Sequence, residues 1–397
     1  MDTQKLIYLD NAATTAVLPE VVESMLPYYG EIYFNPSSFY APAHKSKHAI
    51  NQVREQIAQT IGAQKKEIYF TSCGSESDNW ALLGVARANK KKGNKIIVSS
   101  IEHHAILETA KALSEEGFEV DYLPVNEEGI VEPAALEKAI TPDTILVSVM
   151  AANNEIGTIQ PIAKLSKIAH ENGAYFHTDA VQAYTHIPLN VDEQGIDLLS
   201  ASAHKFHGPK GVGFLYVRKG VKIQSYLHGG EQESGKRAGT ENVAGIVGMG
   251  KAAELAFASF DERAEKEKEL RDYAIARLKA EIPYLKINGS LEHRLPNNIN
   301  VSFRFIESES VLLKLAANGI CASSGSACAS ASLDPSHVLL AIGLSHSLAN
   351  GTIRLSLSEQ ISKEEIDFTV ETLKETVALL RSMSPLWEDF KAKHPEK

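Results

Sequence analysis

Apolar positions recur along this chain in two alternating rhythms. Short apolar runs at Glu67–Thr71, Lys95–Ser99, Phe118–Leu123, Thr144–Met150 and Ala174–Thr178 predict strands, with helical spacing between them. Before the first of these runs, Ile50, Val53, Ile57 and Ile61 repeat at three- and four-residue steps. Strands alternating with helices predict an α/β fold with a mostly parallel sheet covered on both faces. Ligands on such sheets bind beyond the carboxyl ends of the strands. A long helical segment then runs from about Asn242 to Ile282, with a break expected near Ser259–Asp261. Strands at Asn298–Phe303 and Thr352–Leu357 alternate with helices near Glu307–Ala317 and Lys363–Met383, predicting a smaller α+β domain. The expected division is a large domain at 16–258 and a small one built from 1–15 and 259–397. The tail from Ser384 carries Trp387 and Phe390, which either dock a partner or pack on the protein's own surface. No internal repeat or low-complexity tract interrupts the pattern.

The most informative stretch is Ser202-Ala-His-Lys-Phe-His-Gly-Pro-Lys-Gly211. Apolar runs at Ile196–Ser200 and Gly211–Val217 predict strands on either side, so Lys205 sits on a tight connection between them. A lysine held there is open to desolvation, which favours the neutral amine. A neutral amine is what attacks an aldehyde cofactor.

Composition narrows the field. A length of 397 residues suggests two domains of ~150 residues or more. Fractions of 44% hydrophobic and 23% charged residues fit a soluble protein with a sizeable core. A net charge of −10 and no basic stripe argue against a nucleic-acid surface. No run of ~18 apolar residues predicts a membrane span, and no apolar signal region opens the chain, so a cytoplasmic protein is expected. The three cysteines, Cys73, Cys321 and Cys328, lack C-x-x-C spacing. That argues against a disulfide framework or a metal site and for a single reactive thiol.

Polar residues cluster at the predicted strand ends. Phe70-Thr-Ser-Cys-Gly-Ser-Glu runs through Gly74 into a helix near Ser75, where free amides make an anion site, although Ser75 and Glu76 equally serve as caps. His103 follows another strand and is placed to stack on a flat ring. Asn153-Asn-Glu-Ile-Gly sets Asn154 on a loop where ligands bind. Asp179 ends a strand, where a carboxylate either pairs with a protonated pyridine nitrogen or caps the next helix, and Gln182 follows in reach of a ring hydroxyl.

These motifs resemble those of class V, fold-type I pyridoxal-phosphate enzymes, and among them the cysteine desulfurases of the NifS/IscS group. The resemblance runs through Tyr8-Leu-Asp-Asn-Ala-Ala-Thr-Thr, Asn35-Pro-Ser-Ser, Thr71-Ser-Cys-Gly-Ser-Glu-Ser-Asp-Asn, Glu102-His103, His177-Thr-Asp-Ala-Val-Gln, Ser202-Ala-His-Lys, Arg237-Ala-Gly-Thr240, Ser323-Ser-Gly-Ser-Ala-Cys328 and Ile353-Arg-Leu-Ser. It implies that Lys205 holds pyridoxal 5′-phosphate covalently, Asp179 pairs with the ring nitrogen, Gln182 reaches the ring oxygen, and His103 stacks on the ring. It places Asn154 against the cofactor, and Gly74, Ser75, Ser202 and His204 around the phosphate. It brings Thr240 from a neighbouring subunit, hence a homodimer, and sets Arg354 on the substrate carboxylate with Asn35 nearby. Cys73-Gly74 departs from the group's usual Gly-Ala, and Tyr40 stands where many relatives have histidine.

The resemblance assigns the acceptor thiol to Cys328, in a stretch of small residues that is mobile by composition. Cys321, and Cys73 with it, are read as small buried hydrophobes. The implied activity converts L-cysteine to L-alanine with an enzyme persulfide, delivered to an iron–sulfur scaffold or a tRNA-thiolation carrier. An aminotransferase or selenocysteine lyase is the nearest alternative; a cofactor-binding regulator without turnover is the other.

Overall fold

The computed structural model describes residues 6–324 and 335–393. In chain order its strands are β1 (Ile7–Tyr8), β2 (Ile68–Thr71), β3 (Lys95–Ser99), β4 (Glu119–Leu123), β5 (Thr144–Ser148), β6 (Tyr175–Asp179), β7 (Leu198–Ser202), β8 (Gly213–Val217), β9 (Leu285–Ile287), β10 (Asn298–Phe303), β11 (Ile320–Cys321) and β12 (Thr352–Ser356).

Seven strands form one sheet in the order β2-β8-β7-β6-β5-β3-β4. The pairs from β7 to β4 are parallel. β8 is antiparallel to both of its neighbours. The short link from β7 to β8 forces this, since a parallel pair needs a crossover of a dozen or more residues. Helices cover both faces, so every residue of β3, β5, β7 and β8 is buried, as the unbroken apolar runs predict. The expected strand at Ile196–Ser200 lies two residues further on. Asp197 is spent instead on anchoring, its carboxylate accepting from Phe176 N and pairing with His170. Ser202 therefore ends β7 rather than starting the turn.

The predicted break in the long helix is a bend of 73° between Val243–Ala258 and Phe260–Glu281. No single helix among the described residues is long and apolar enough to cross a membrane. Beyond the bend, β12-β10-β9 form an antiparallel sheet, and β1 pairs in parallel with β11. Ile7 and Leu9 enter a second core there with Leu278, Val301, Leu355 and Leu373. The N-terminal segment then crosses to the large sheet: Ser356 N donates to Leu9 O, and Thr15 N to His204 O. Of the two readings of the tail, packing on the protein itself holds. Helix Pro385–Lys393 sets Trp387 and Phe390 against Tyr284 and Phe305.

Candidate active site

A cavity of about 280 Å³ opens where β6 and β7 end, bounded by the N-terminal segment and by β12. Lys205 reaches it from a single 3₁₀ turn, Ala203–Lys205, directly after β7. Its Nζ donates to Ala12 O at 2.7 Å and Ala13 O at 2.9 Å. The turn is itself sewn down, because His204 Nδ1 lies 3.1 Å from Thr14 Oγ1. Lys205, His204 and Ser202 all line the cavity.

Asp179 faces the same space from the end of β6. Its Oδ1 accepts from Val181 N at 2.8 Å. Burial pushes its carboxyl up to about 6, against the Val181 hydrogen bond and the Lys205 charge. Gln182 lines the wall, with its amide nitrogen on Ala12 O at 2.9 Å, so one carbonyl anchors both Gln182 and Lys205. His103 caps helix His104–Glu115, its Nδ1 accepting from Ala105 N at 3.1 Å. Burial, then the charges of Lys205 and His104, bring its imidazole down to about 4. The ring is therefore neutral at pH 7, and with Nδ1 accepting, its proton sits on Nε2.

One end of the cavity is the start of helix Gly74–Asn89, whose N-cap residue Cys73 makes no side-chain cap. Its first amides lack intrahelical partners, and Gly74 and Ser75 line the cavity. A Cβ at Gly74 would lie 2.7 Å from Val181 Cγ2, so the glycine lets the helix start approach the Asp179 turn closely. Glu76, in that first turn, is held by Arg237 through two contacts of 2.7 and 3.0 Å. Its charge is thereby offset rather than set against an incoming anion. Cys73, read from sequence as buried, is half-buried in the cavity wall.

Arg354 stands at the opposite end, buried, with Nη1 on Asn154 O and Nη2 on Asp10 Oδ1, both at 2.9 Å. Its Nε has no hydrogen-bond partner among the described residues, leaving Nε–H available to a carboxylate. Backbone bonds of 3.2 and 2.7 Å tie Ser323 to Arg354. On the far side of residues 325–334, Ser336 Oγ reaches Glu155 Oε2 at 2.5 Å and His337 Nε2 reaches Glu102 O at 3.0 Å. Cys328 lies outside the described residues. Cys321 pairs with Tyr8 in β11, away from the cavity wall.

Two expected site residues are elsewhere in this chain. Asn35 is exposed, its Oδ1 taken by Ser37 N, and Thr240 is exposed beside a separate hollow with Arg237 and Gly211. Residues that sequence reasoning passed over are Asp10, Asp78, Glu102, Glu155 and His337, all bordering or bracing the cavity. Asp78 had a legible signal: four residues after Gly74, it shares that residue's helix face.

The class-V aminotransferase family model matches residues 7–368. A cysteine desulfurase IscS of Clostridium botulinum is 56% identical over 99% of this chain and 100% of its own length. Among solved structures, a NifS-like protein superimposes with a TM-score of 0.89 at 40% identity, covering 94% of this chain and 100% of its own. A structure described as SspA in complex with cysteine gives 0.80 at 38% identity, covering 89% of this chain and 99% of its own.

Proposed function

We propose, for a chain that belongs to the class-V aminotransferase family and within it to the cysteine desulfurases, that this cavity binds pyridoxal 5′-phosphate and L-cysteine and moves the substrate's sulfur to Cys328. The donor set fits that cofactor. An amine for its aldehyde, a carboxylate for its ring nitrogen and an uncapped helix start for its phosphate share one cavity. Bound there, the cofactor would supply an electron-withdrawing ring that takes up electrons from the substrate's α-carbon.

The chain's own residues do the rest. Lys205 Nζ would hold the cofactor's aldehyde and move protons to and from the substrate's α-carbon. Asp179 keeps a proton on the ring nitrogen. His103, neutral, stacks on the ring and offers Nε2–H. Asn154 would contact the cofactor, and Ser202, His204, Gly74 and Ser75, which share its cavity, would hold the phosphate. Arg354 orients the substrate carboxylate. Cys328 Sγ, as thiolate, attacks the substrate sulfur: an S–S bond forms, the substrate Cβ–S bond breaks, and protonation at carbon leaves L-alanine.

The observation that carries this reading is that both flanks of residues 325–334 are anchored on the cavity rim, at Arg354 and at Glu155. Cys328 stands five positions after Ser323, a reach of up to roughly 18 Å. We propose further a cytoplasmic homodimer in which Thr240 serves the partner's phosphate. Sulfur then passes to acceptor proteins of iron–sulfur cluster assembly. Mass spectrometry after mixing with L-cysteine should show one added sulfur on the Cys328 peptide. A peptide that stays unmodified while alanine accumulates rules out Cys328.

A further inference from the structure

Behind Asp179 lies a buried polar seam that the reaction as described does not use. Ser148 and His177 are register partners on β5 and β6, and Asp179 faces Ser200 across β6 and β7. His177 Nδ1 lies 2.8 Å from Ser148 Oγ, and its Nε2 lies 3.0 Å from Ser200 Oγ. Asp78, on the helix that opens at Gly74, closes the line. Its Oδ1 is 3.8 Å from His177 Nε2, and the Ser200 hydroxyl acts on its carboxyl in the direction that favours a charge.

One proton arrangement satisfies His177: Ser148 O–H donates to Nδ1, and Nε2–H donates to Ser200 Oγ. Asp78 Oδ1 is left without a hydrogen bond among the described residues, although Asp78 is 1% exposed and borders the cavity. The groups acting on it are Asp179, Glu102 and Cys73 besides Ser200, and of these only the Ser200 hydroxyl favours a charge. Asp179 differs, with the Val181 amide and the Lys205 charge in its favour. Burial, then Asp179, drives the Asp78 carboxyl well above the carboxylate range. Two carboxyls this close do not both ionise, and the one facing the cation keeps the charge.

We propose that Asp78 is a positioning residue for the cofactor's ring nitrogen. Un-ionised, it lies against the Ser148–His177–Ser200 chain and leaves Asp179 as the charge presented to the ring.

The inference rests on the cofactor reading above, and its test separates the two. Apo protein is titrated with pyridoxal 5′-phosphate, following affinity and the pH titration of the visible band. Asp78→Ala is expected to weaken binding about tenfold and move the titration midpoint. Asp78→Asn keeps the shape without a charge, and is expected to restore both to within about twofold. An Ala variant like the wild type, or an Asn variant as impaired as Ala, overturns the proposal. Infrared difference spectra of apo wild type against Asp78→Asn at neutral pH need no cofactor. They should show the carbonyl stretch of an un-ionised acid, and carboxylate bands in its place overturn the proposal. Wild-type protein that binds no pyridoxal 5′-phosphate defeats the cofactor reading, and the infrared result then judges Asp78 alone.

Discussion

Asp10 Oδ1 holds Arg354 Nη2 at 2.9 Å, an ion pair between residues 344 positions apart. With Asn154 O on Nη1, it fixes the plane of the guanidinium, and the buried Nε–H has no hydrogen-bond partner among the described residues. A planar fork so held matches a carboxylate.

Removing that support should therefore act on substrate binding. Arg354→Ala should raise KM for L-cysteine by roughly 10- to 100-fold. Arg354→Lys should do nearly as badly, because a point charge does not replace the fork. Asp10→Asn should raise KM with a smaller change in kcat. Steady-state kinetics decide this, and a wild-type KM in Arg354→Lys contradicts it.

Lys205→Ala removes the amine held on Ala12 O and Ala13 O. The visible absorbance that pyridoxal 5′-phosphate gives with the wild type should vanish, together with at least about 10³-fold of activity. The far-ultraviolet circular dichroism should stay, because Lys205 belongs to a turn rather than a core. An unchanged visible spectrum would falsify its assignment.

Burial lifts the Glu102 carboxyl from 4.5 to about 8, with its hydrogen bonds from Ser99 Oγ and Met150 N opposing. The folded chain therefore keeps a proton that the unfolded chain loses above about 4.5. The contribution to stability is full below that value and is lost as pH rises through about 8. Each pH unit in that window weakens folding by up to about 1.4 kcal/mol. Glu102→Gln keeps the acceptor and has nothing to titrate. Its melting temperature relative to wild type should climb steadily between pH 5 and pH 8; a constant difference contradicts the shift.

Cys328→Ser should retain the cofactor's absorbance and lose sulfide release under reductant. Cys321→Ser should keep both, since Cys321 sits in β11 beside Tyr8 and away from the cavity. The reverse pattern would show that the thiols have been assigned the wrong way round.

Much of this was legible before folding. Unbroken apolar runs mark strands that are covered on both faces, and β3 and β10 lie where their runs predict, residue for residue. The short β7–β8 connection located Lys205. Errors fell at strand ends, where side chains such as Asp197 and Glu102 take over backbone amides from the ladder. β9 and β11 are too short to show a period.

Lys205 and Asp179 were legible because each stands at a strand end or turn, a position that local pattern reveals, whereas Arg354, in the middle of β12, was named only through the resemblance. Asp10, Asp78 and Glu102 were not, because their importance comes from what surrounds them. Sequence alone determined the order of strands and helices and the residue types available for chemistry, since hydrophobic period and turn preference act over a few residues. Tertiary structure alone decided that Asp10 meets Arg354, that Ala12 O takes both Lys205 and Gln182, and that Asp78 lies buried behind Asp179. Burial, desolvation and ion pairing depend on distance in space, and the chain brings these groups together only after its sheets have closed.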